Sequence, residues 1–137
     1  MKAKITATGR YLPKRILTNH DLEKMVDTSD EWIRSRTGIE KRHIVSKGEA
    51  TSHMGAHVAR QLLERSGKTP DEIDLIIIAT STPDYPVVST AALVQDKIGA
   101  NNAWGFDIIA ACTGFVYAME TGAKMVESGR YKNVIVI

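Results

Sequence analysis

The sequence predicts an α/β fold in which a parallel-rich sheet carries helices on its faces. Three largely apolar segments, residues 75–79, 104–109 and 133–137, have the length of short strands, and segments with helical periodicity lie between them. The first segment, Leu75-Ile76-Ile77-Ile78-Ala79, lacks polar alternation, which is typical of a strand covered on both faces. Strands that alternate with helices in this way form parallel sheets, because each helix returns the chain to the same end.

The first fifty residues are less regular, and their elements are predicted from local signals. Capping residues mark helix starts, and glycine marks a helix end. The elements predicted in this part are a strand at 4–8, a brief helix at 22–26 preceded by Thr18 as its cap, a helix opened by Thr28 and Glu31 at capping-box spacing and ended by Gly38, and a basic arm or hairpin at 39–48.

Three longer helices are predicted beyond residue 50, each with a start and a stop signal. Polar residues open the first two helices, and a glycine follows each of the three. They are a helix at 51–66 capped by Thr51, with Met54, Val58 and Leu62 on one face and Gly67 as its stop, a helix at 90–98 between Ser89 and Gly99, and a helix from Cys112 to Ser128 stopped by Gly129.

Composition and charge exclude several classes of protein. The 137 residues suffice for one domain or part of one. A net charge of +2 does not favour nucleic-acid binding, and no apolar segment has the length of a membrane span. The first residues lack the apolar run of a signal peptide. The single cysteine excludes an internal disulfide, so we expect a cytoplasmic protein.

That cysteine, Cys112, lies where the strand at 104–109 passes into a helix. The helix is indicated by apolar or small residues at three- and four-residue spacing, Phe115, Ala118, Met119, Gly122 and Val126. Free backbone N–H groups and the helix dipole favour a thiolate at such a place, and Gly114 leaves room for a substrate. The arrangement resembles a nucleophile elbow built with sulfur. The alternative is that Cys112 is a small buried apolar residue.

Two segments carry a resemblance to a known family. The stretch Phe106-Asp107-Ile108-Ile109-Ala110-Ala111-Cys112-Thr113-Gly114-Phe115 resembles the active-site segment of the thiolase superfamily. Together with Thr28-Ser29-Asp30-Glu31-Trp32-Ile33-Arg34-Ser35-Arg36-Thr37-Gly38-Ile39, it makes the whole chain resemble β-ketoacyl-acyl-carrier-protein synthase III. The resemblance implies that residues 1–137 are the N-terminal half of a thiolase-like fold. The strand pattern at 133–137 ends without a turn or polar tail, so we expect a fragment whose C-terminal half is absent.

The resemblance also implies the chemistry. Cys112 would accept an acyl group from a short acyl-CoA, and the acyl-enzyme would condense with malonyl-acyl-carrier protein. The family's catalytic histidine and asparagine would lie beyond residue 137, so we expect the 137 residues alone to be inactive in condensation. The implied partners are acyl-CoA, the acyl carrier protein and a second copy in a homodimer. No permanently bound cofactor is expected, with coenzyme A thioester as substrate.

Trp32 and Arg36 are four residues apart and therefore share a helix face. An indole can stack on adenine and a guanidinium can bind phosphate, but the indole can equally pack against Arg36 alone. The resemblance implies that Thr28, Trp32 and Arg36 bind coenzyme A.

The loop Pro83-Asp84-Tyr85-Pro86-Val87-Val88 is implied to reach the partner's acyl pocket, with Val87 as its pocket residue. Relatives carry a bulky apolar residue and a proline where this chain has Val87-Val88. From pattern alone, the segment is a surface loop.

No metal site is predicted. His53 and His57 have four-residue spacing, but no third ligand is recognisable near them. Asp107, five residues before the cysteine, is interpreted as structural. The alternative functions are a hydroxymethylglutaryl-CoA synthase-like enzyme, a polyketide starter synthase, a non-catalytic acyl-CoA-binding module, and a thiol redox sensor that would lack a resolving cysteine.

Overall fold

The computed structural model describes residues 2–137, which form two compact units. The smaller unit is Leu12–Glu49, and the larger combines residues 2–11 with Ala50–Ile137. Cys112 therefore lies in the larger unit, and Thr28, Trp32 and Arg36 lie in the smaller one. Within the described part, no helix is long and apolar enough to cross a bilayer.

The smaller unit consists of a two-stranded antiparallel sheet and two short helices. In chain order its elements are β1 (Arg15–Thr18), α1 (Asn19–Glu23), α2 (Asp30–Thr37) and β2 (Lys41–Ile44). α1 opens with a capping box, because the Thr18 hydroxyl accepts the Asp21 N–H at 3.2 Å and the Asp21 carboxylate accepts the Thr18 N–H at 3.1 Å. α2 ends at Gly38, whose φ of 70° is left-handed.

Three expectations for this unit need correction. α1 begins at Asn19, three residues before the predicted start, because Thr18 caps it directly. The predicted Thr28–Glu31 capping box is wrong, because Ser29 caps α2 by accepting the Trp32 N–H at 3.1 Å. The arm or hairpin at 39–48 contains β2. Its partner β1 was not predicted, because the four residues Arg15–Thr18 show no apolar–polar alternation.

The larger unit alternates helices and strands, as predicted. Its elements are α3 (Thr51–Ser66), β3 (Leu75–Ala79), α4 (Thr90–Ile98), β4 (Trp104–Ile108), α5 (Gly114–Glu127) and β5 (Val134–Val136). The three strands form a parallel sheet in the order β4-β3-β5, with Ala79 opposite Ile108 and Ile77 opposite Val136. The α/β class with a parallel sheet is confirmed.

β3 is the centre of the core and is buried on both faces, as its unbroken apolar sequence predicts. Ile76 and Ile78 pack against residues of α3 and α4, such as Ala59 and Val94. Leu75 and Ile77 pack on the opposite face in a cluster with Ala118 of α5. Each large side chain buried in this way contributes about 1.5–3 kcal/mol to stability.

The predicted strand at 4–8 is wrong, because these residues have no regular secondary structure. Side chains of α3 hold the segment instead. The Gln61 amide donates to the Arg10 carbonyl at 3.0 Å and accepts the Arg10 N–H at 3.3 Å, and the Arg65 guanidinium donates to the Thr8 carbonyl. The alternation in residues 4–8 therefore has no partner strand within the described residues.

α3 has the predicted bounds but not the predicted cap or buried face. Ala50 occupies the cap position, and the Thr51 hydroxyl donates to the Thr82 carbonyl at 2.6 Å. The fully buried side of α3 carries small residues such as Gly55 and Ala59, whereas the predicted face is half-buried, namely Met54, Val58 and Leu62. A Cβ at Gly55 would lie 2.8 Å from Val94 Cγ2, so close contact with α4 explains the small residues.

Candidate functional site

Cys112 lies in a 3-10 turn, Ala111–Thr113, between the carboxyl end of β4 and the first residue of α5. The predicted passage from strand to helix is therefore observed, with the turn inserted before the helix. Within residues 2–137 the cysteine is exposed, unlike the small buried apolar residue of the alternative. No side chain caps the start of α5, and its first turn contains no acidic residue. The dipole at the start of α5 therefore favours a negatively charged group near Cys112.

The backbone immediately before Cys112 is strained. Ala111 has a φ of 43°, and it is the one residue other than glycine with a positive φ among residues 2–137. An L-residue in this conformation costs of order 1–3 kcal/mol, and such residues are concentrated at active sites. A sharp, strained turn that leads from a strand into a helix and exposes its nucleophile is the geometry of a nucleophile elbow. The amino-acid sequence carries no signal for this strain, because Ala111 is an ordinary alanine.

The residues around Cys112 hold this turn in place. The Thr113 hydroxyl donates to the Ala110 carbonyl at 2.9 Å, and the Thr113 N–H donates to the same carbonyl at 3.1 Å. The Asp107 carboxylate accepts the N–H groups of Thr90 at 2.6 Å and Ala91 at 2.8 Å, which ties β4 to the start of α4. These contacts agree with the interpretation of Asp107 as a structural residue.

Val87 lies on the loop between β3 and α4, and its side chain is 94% exposed. The base of this loop is anchored. The Asp84 carboxylate accepts the Ser52 N–H at 2.8 Å and the Ser52 hydroxyl at 2.6 Å. Val87 is thus free of contacts that would bury it within this chain. Its role in an acyl pocket stays a prediction.

Trp32 and Arg36 contact each other on α2. The Arg36 guanidinium carbon lies 4.6 Å from the centre of the Trp32 ring, and the indole remains 53% exposed. This cation–π contact is the packing of the indole against Arg36 that occurs without a ligand. It nevertheless leaves about half of the indole surface accessible to a ligand. An open groove of about 580 Å³ lies beside Trp32 and is lined by Val26, Asp27, Thr28, Ser29 and Trp32. Two of the three predicted coenzyme-binding residues, Thr28 and Trp32, therefore line one groove.

A small electrostatic network fixes the start of α2. The Glu23 carboxylate accepts the Asp30 N–H at 2.7 Å and contacts His20 Nδ1 at 3.1 Å. The hydrogen bond from the Asp30 backbone lowers the pKa of Glu23, and the contact with His20 lowers it further. The hydrogen bond to Glu23 raises the pKa of His20. Both groups are thus charged over a wider pH range than usual.

We expect the hydrogen bond of the Asp30 amide to weaken when acid protonates Glu23. Because the pKa of Glu23 is lowered in the folded state, its stabilising contribution is present above the ordinary pKa of glutamate and is lost as pH falls through the lowered value. The amide chemical shift of Asp30 should therefore titrate with a midpoint below the ordinary value. Glu23→Gln should abolish this titration, and Glu31→Gln, on the exposed side of α2, should leave it intact. A midpoint unaffected by Glu23→Gln would contradict the assignment.

The two histidines with metal-ligand spacing have other contacts. His53 Nδ1 accepts the Ala50 N–H at 3.2 Å, and the His57 ring stacks on Tyr11 with 4.7 Å between ring centres. Among residues 2–137, no three His, Cys, Asp or Glu side chains are grouped so that they could hold a metal ion.

Sequence reasoning missed Asn19. This residue is 1% exposed, and its side-chain amide joins α1 to Asp30 of α2, to Ile39 after α2 and to Arg42 of β2. A sequence signal existed, because asparagine beside the capping threonine of a short helix is a residue that makes local hydrogen bonds. Its partners lie 11 to 23 residues away in sequence, so they could not be identified without the fold.

The fold and the site define an α/β protein of the thiolase-like type with an exposed cysteine at a strand-to-helix turn. The sequence profile of the family 3-oxoacyl-[acyl-carrier-protein (ACP)] synthase III matches residues 106–137. The β-ketoacyl-[acyl-carrier-protein] synthase III of Chlorobium phaeovibrioides is 59% identical over 138 aligned residues, which cover all of this chain and 42% of that protein.

Two solved structures extend the comparison. The 3-oxoacyl-[acyl-carrier-protein] synthase III of Aquifex aeolicus superposes with a TM-score of 0.93 at 50% identity, over 97% of this chain and 43% of that one. The priming β-ketosynthase of the R1128 polyketide pathway has a TM-score of 0.93 at 37% identity, over 97% and 40%. The predicted resemblance to the N-terminal part of β-ketoacyl-acyl-carrier-protein synthase III is confirmed. The chain spans about two fifths of the relatives that it matches.

Proposed function

We propose that this chain supplies the nucleophile and the coenzyme A site of an acyltransferase that initiates type II fatty acid synthesis. The observation that carries the proposal is the exposed Cys112 in a strained turn between β4 and α5. It is supported by the similarity of the whole chain to proteins named β-ketoacyl-acyl-carrier-protein synthase III.

In the first step, the Cys112 thiolate attacks the carbonyl carbon of a short acyl-CoA. The bond between that carbon and the coenzyme A sulfur breaks, coenzyme A leaves as its thiol after taking up a proton, and an acyl-cysteine remains. The step needs an activated thiol and donors for the transient oxyanion. The Cys112 backbone N–H is the proposed first donor, because the leading N–H groups of a helical turn have no partner within that turn.

In the second step, malonyl-acyl-carrier protein loses its carboxylate as CO₂, and the resulting carbanion attacks the acyl carbonyl. A carbon–carbon bond forms and the Cys112 thiolate is released. This step needs groups that bind the malonyl thioester carbonyl. The family resemblance assigns this role to a histidine and an asparagine beyond residue 137, so both steps are proposed for the native protein in full.

The acyl donor is proposed to bind through its nucleotide. The groove beside Thr28 and Trp32 and the accessible indole face support this assignment. We also propose that the protein forms a cytoplasmic homodimer in which the anchored loop presents Val87 to the acyl pocket of the partner. The exposure of Val87 supports this role, and the expected partners are acyl-CoA and the acyl carrier protein.

The test is the intact mass of the native protein before and after incubation with acetyl-CoA. We expect a gain of one acetyl group. A native protein that stays unmodified by acetyl-CoA, propionyl-CoA and longer acyl-CoA donors would overturn the proposal.

Removing the guanidinium of Arg36 is expected to weaken coenzyme A binding by about tenfold to a hundredfold. A charged contact to phosphate contributes about 1.5–3 kcal/mol, and Arg36→Ala removes that contact together with the stacking on Trp32. Calorimetric titration with coenzyme A measures the change. Arg130→Ala is the matched control, because it removes the same charge and a guanidinium that lies 5.5 Å from the centre of the Tyr131 ring, in the larger unit. Equal affinity in both variants would contradict a role of Arg36 in binding.

One observation favours a second candidate function. The priming β-ketosynthase of a polyketide pathway superposes as well as the fatty acid enzyme of Aquifex aeolicus does. A polyketide starter synthase would share the acylation of Cys112 but accept a polyketide carrier protein. Assays of the native protein with both kinds of carrier protein distinguish the two candidates.

A further inference from the structure

α2 carries two of the proposed coenzyme A residues but has little apolar packing to fix its orientation. Of the eight residues from Asp30 to Thr37, Ile33 alone is buried. A short helix with one buried side chain can rotate about its axis at small cost in apolar contact area. The position of Trp32 and Arg36 must therefore be set by other contacts.

Asn19 supplies the buried contacts, beside the exposed ones that Glu23 and Arg34 make to residues at the ends of α2. One N–H of its side-chain amide donates to Asp30 Oδ1 at 2.8 Å, at the first residue of α2, and the other donates to the Ile39 carbonyl at 2.8 Å, just beyond Gly38. Its amide oxygen accepts a hydrogen bond from the Arg42 guanidinium of β2 at 2.9 Å. One planar group thus joins the first residue of α2 and the segment just after its Gly38 cap to α1 and β2.

The burial of Asn19 makes these bonds costly to lose. The residue is 1% exposed, and three of the four hydrogen-bonding positions of its amide are occupied. If the amide is removed, Asp30, Ile39 and Arg42 each lose a partner on the side that faces the buried Asn19. These groups would regain partners by moving, and movement of Asp30 or Ile39 shifts an end of α2.

We propose that Asn19 is a positioning residue for nucleotide recognition, which holds α2 so that Trp32 and Arg36 face the same ligand as Thr28. The proposal rests on the function proposed above. Asn19 itself does not contact the ligand. Its effect is confined to donors that carry the adenosine phosphate moiety, because α2 has no proposed role toward the acyl-pantetheine end.

The experiment compares coenzyme A with a donor that lacks the nucleotide, in the native protein. For Asn19→Ala we expect about a tenfold rise in the dissociation constant of coenzyme A and in the KM for acetyl-CoA. The kcat for acetyl-CoA and the rate of acetylation of Cys112 by S-acetylpantetheine should stay within about twofold. Asn133→Ala is the matched control, because it removes an amide that donates to the Glu72 carbonyl at 2.8 Å in the larger unit. It should change neither the affinity for coenzyme A nor the rate of acetylation by S-acetylpantetheine.

A charge exchange distinguishes positioning from a general loss of stability. Asn19→Asp alone places a carboxylate against Asp30 and should weaken coenzyme A binding more than Asn19→Ala does. Combining it with Asp30→Asn restores a donor at residue 30 opposite an acceptor at residue 19 and keeps the bond from Arg42, whereas the Ile39 carbonyl stays without its donor. We expect the double variant to bind coenzyme A more tightly than Asn19→Asp and less tightly than the wild type, because only the pair at residues 19 and 30 is restored.

Three outcomes decide against the proposal. Unchanged coenzyme A affinity in Asn19→Ala overturns it, and so does an equal loss with S-acetylpantetheine. A double variant that folds but binds coenzyme A as weakly as Asn19→Asp also overturns it, and this result is informative even if Asn19→Ala does not fold. A wild-type protein that fails to bind coenzyme A would overturn the proposed function as well, and that failure is visible before any variant is made.

Discussion

Replacing Cys112 by alanine is expected to abolish acetylation of the protein by acetyl-CoA. Covalent catalysis has no substitute for its nucleophile, so the loss should be at least about a thousandfold in rate. The side chain is exposed, so its truncation leaves no cavity, and the free energy of unfolding should change by less than about 0.5 kcal/mol. Intact mass after incubation measures acetylation, and urea denaturation measures stability.

Thr113→Ser is the matched control for this variant. Serine keeps the hydroxyl that donates to the Ala110 carbonyl and removes a methyl group beside the nucleophile. The variant should be acetylated at a rate within a few-fold of the wild type. Acetylation that persists in Cys112→Ala would identify another acceptor and contradict the assignment of Cys112. A redox role would instead be indicated if Cys112 formed a sulfenic acid with peroxide yet accepted no acyl group.

Adding a single methyl group at Gly105 is expected to destabilise the larger unit by about 3 kcal/mol. A Cβ at this position of β4 would lie 2.6 Å from the Ile76 carbonyl oxygen and 2.8 Å from Ala91 Cβ. The first contact is with the backbone of β3, which cannot turn aside as a flexible side chain would. Gly105→Ala must therefore displace β4 from the sheet or from α4, and urea denaturation should show a lower midpoint.

The same displacement should reach Cys112, because β4 ends four residues before it. We expect Gly105→Ala to slow acetylation even at temperatures where the protein stays folded. Gly9→Ala is the control, because its Cβ would meet its nearest neighbours at 3.4 Å and its φ is not positive. If the two variants had equal stability, the close approach of β4 to β3 and α4 would not be a constraint.

Elements with a strong local signal could be predicted from the sequence. β3 follows from five apolar residues without alternation, and three helices end where Gly38, Gly67 and Gly99 adopt left-handed backbone angles. These signals depend on a few neighbouring residues, so they can be recognised without knowledge of the fold. The position of Cys112 between a strand and a helix is of the same kind.

Pairing between distant segments could not be predicted. Residues 4–8 have strand-like alternation, yet they are held by Gln61 and Arg65 of α3. β1 has a weaker pattern, yet it pairs with β2 more than twenty residues away. A strand exists only where a partner offers its hydrogen-bonding edge, and that partner is chosen by the packing of the whole unit.

By itself, the sequence determined the α/β class, the family resemblance and the identity of the residues with useful chemistry. The tertiary structure alone decided how those residues are held. It imposed the strain at Ala111, exposed Cys112 and buried Asn19 between three elements. The physical reason is that the chemistry of a side chain is a property of one residue. Strain, exposure and burial depend instead on contacts between residues that are far apart in the chain.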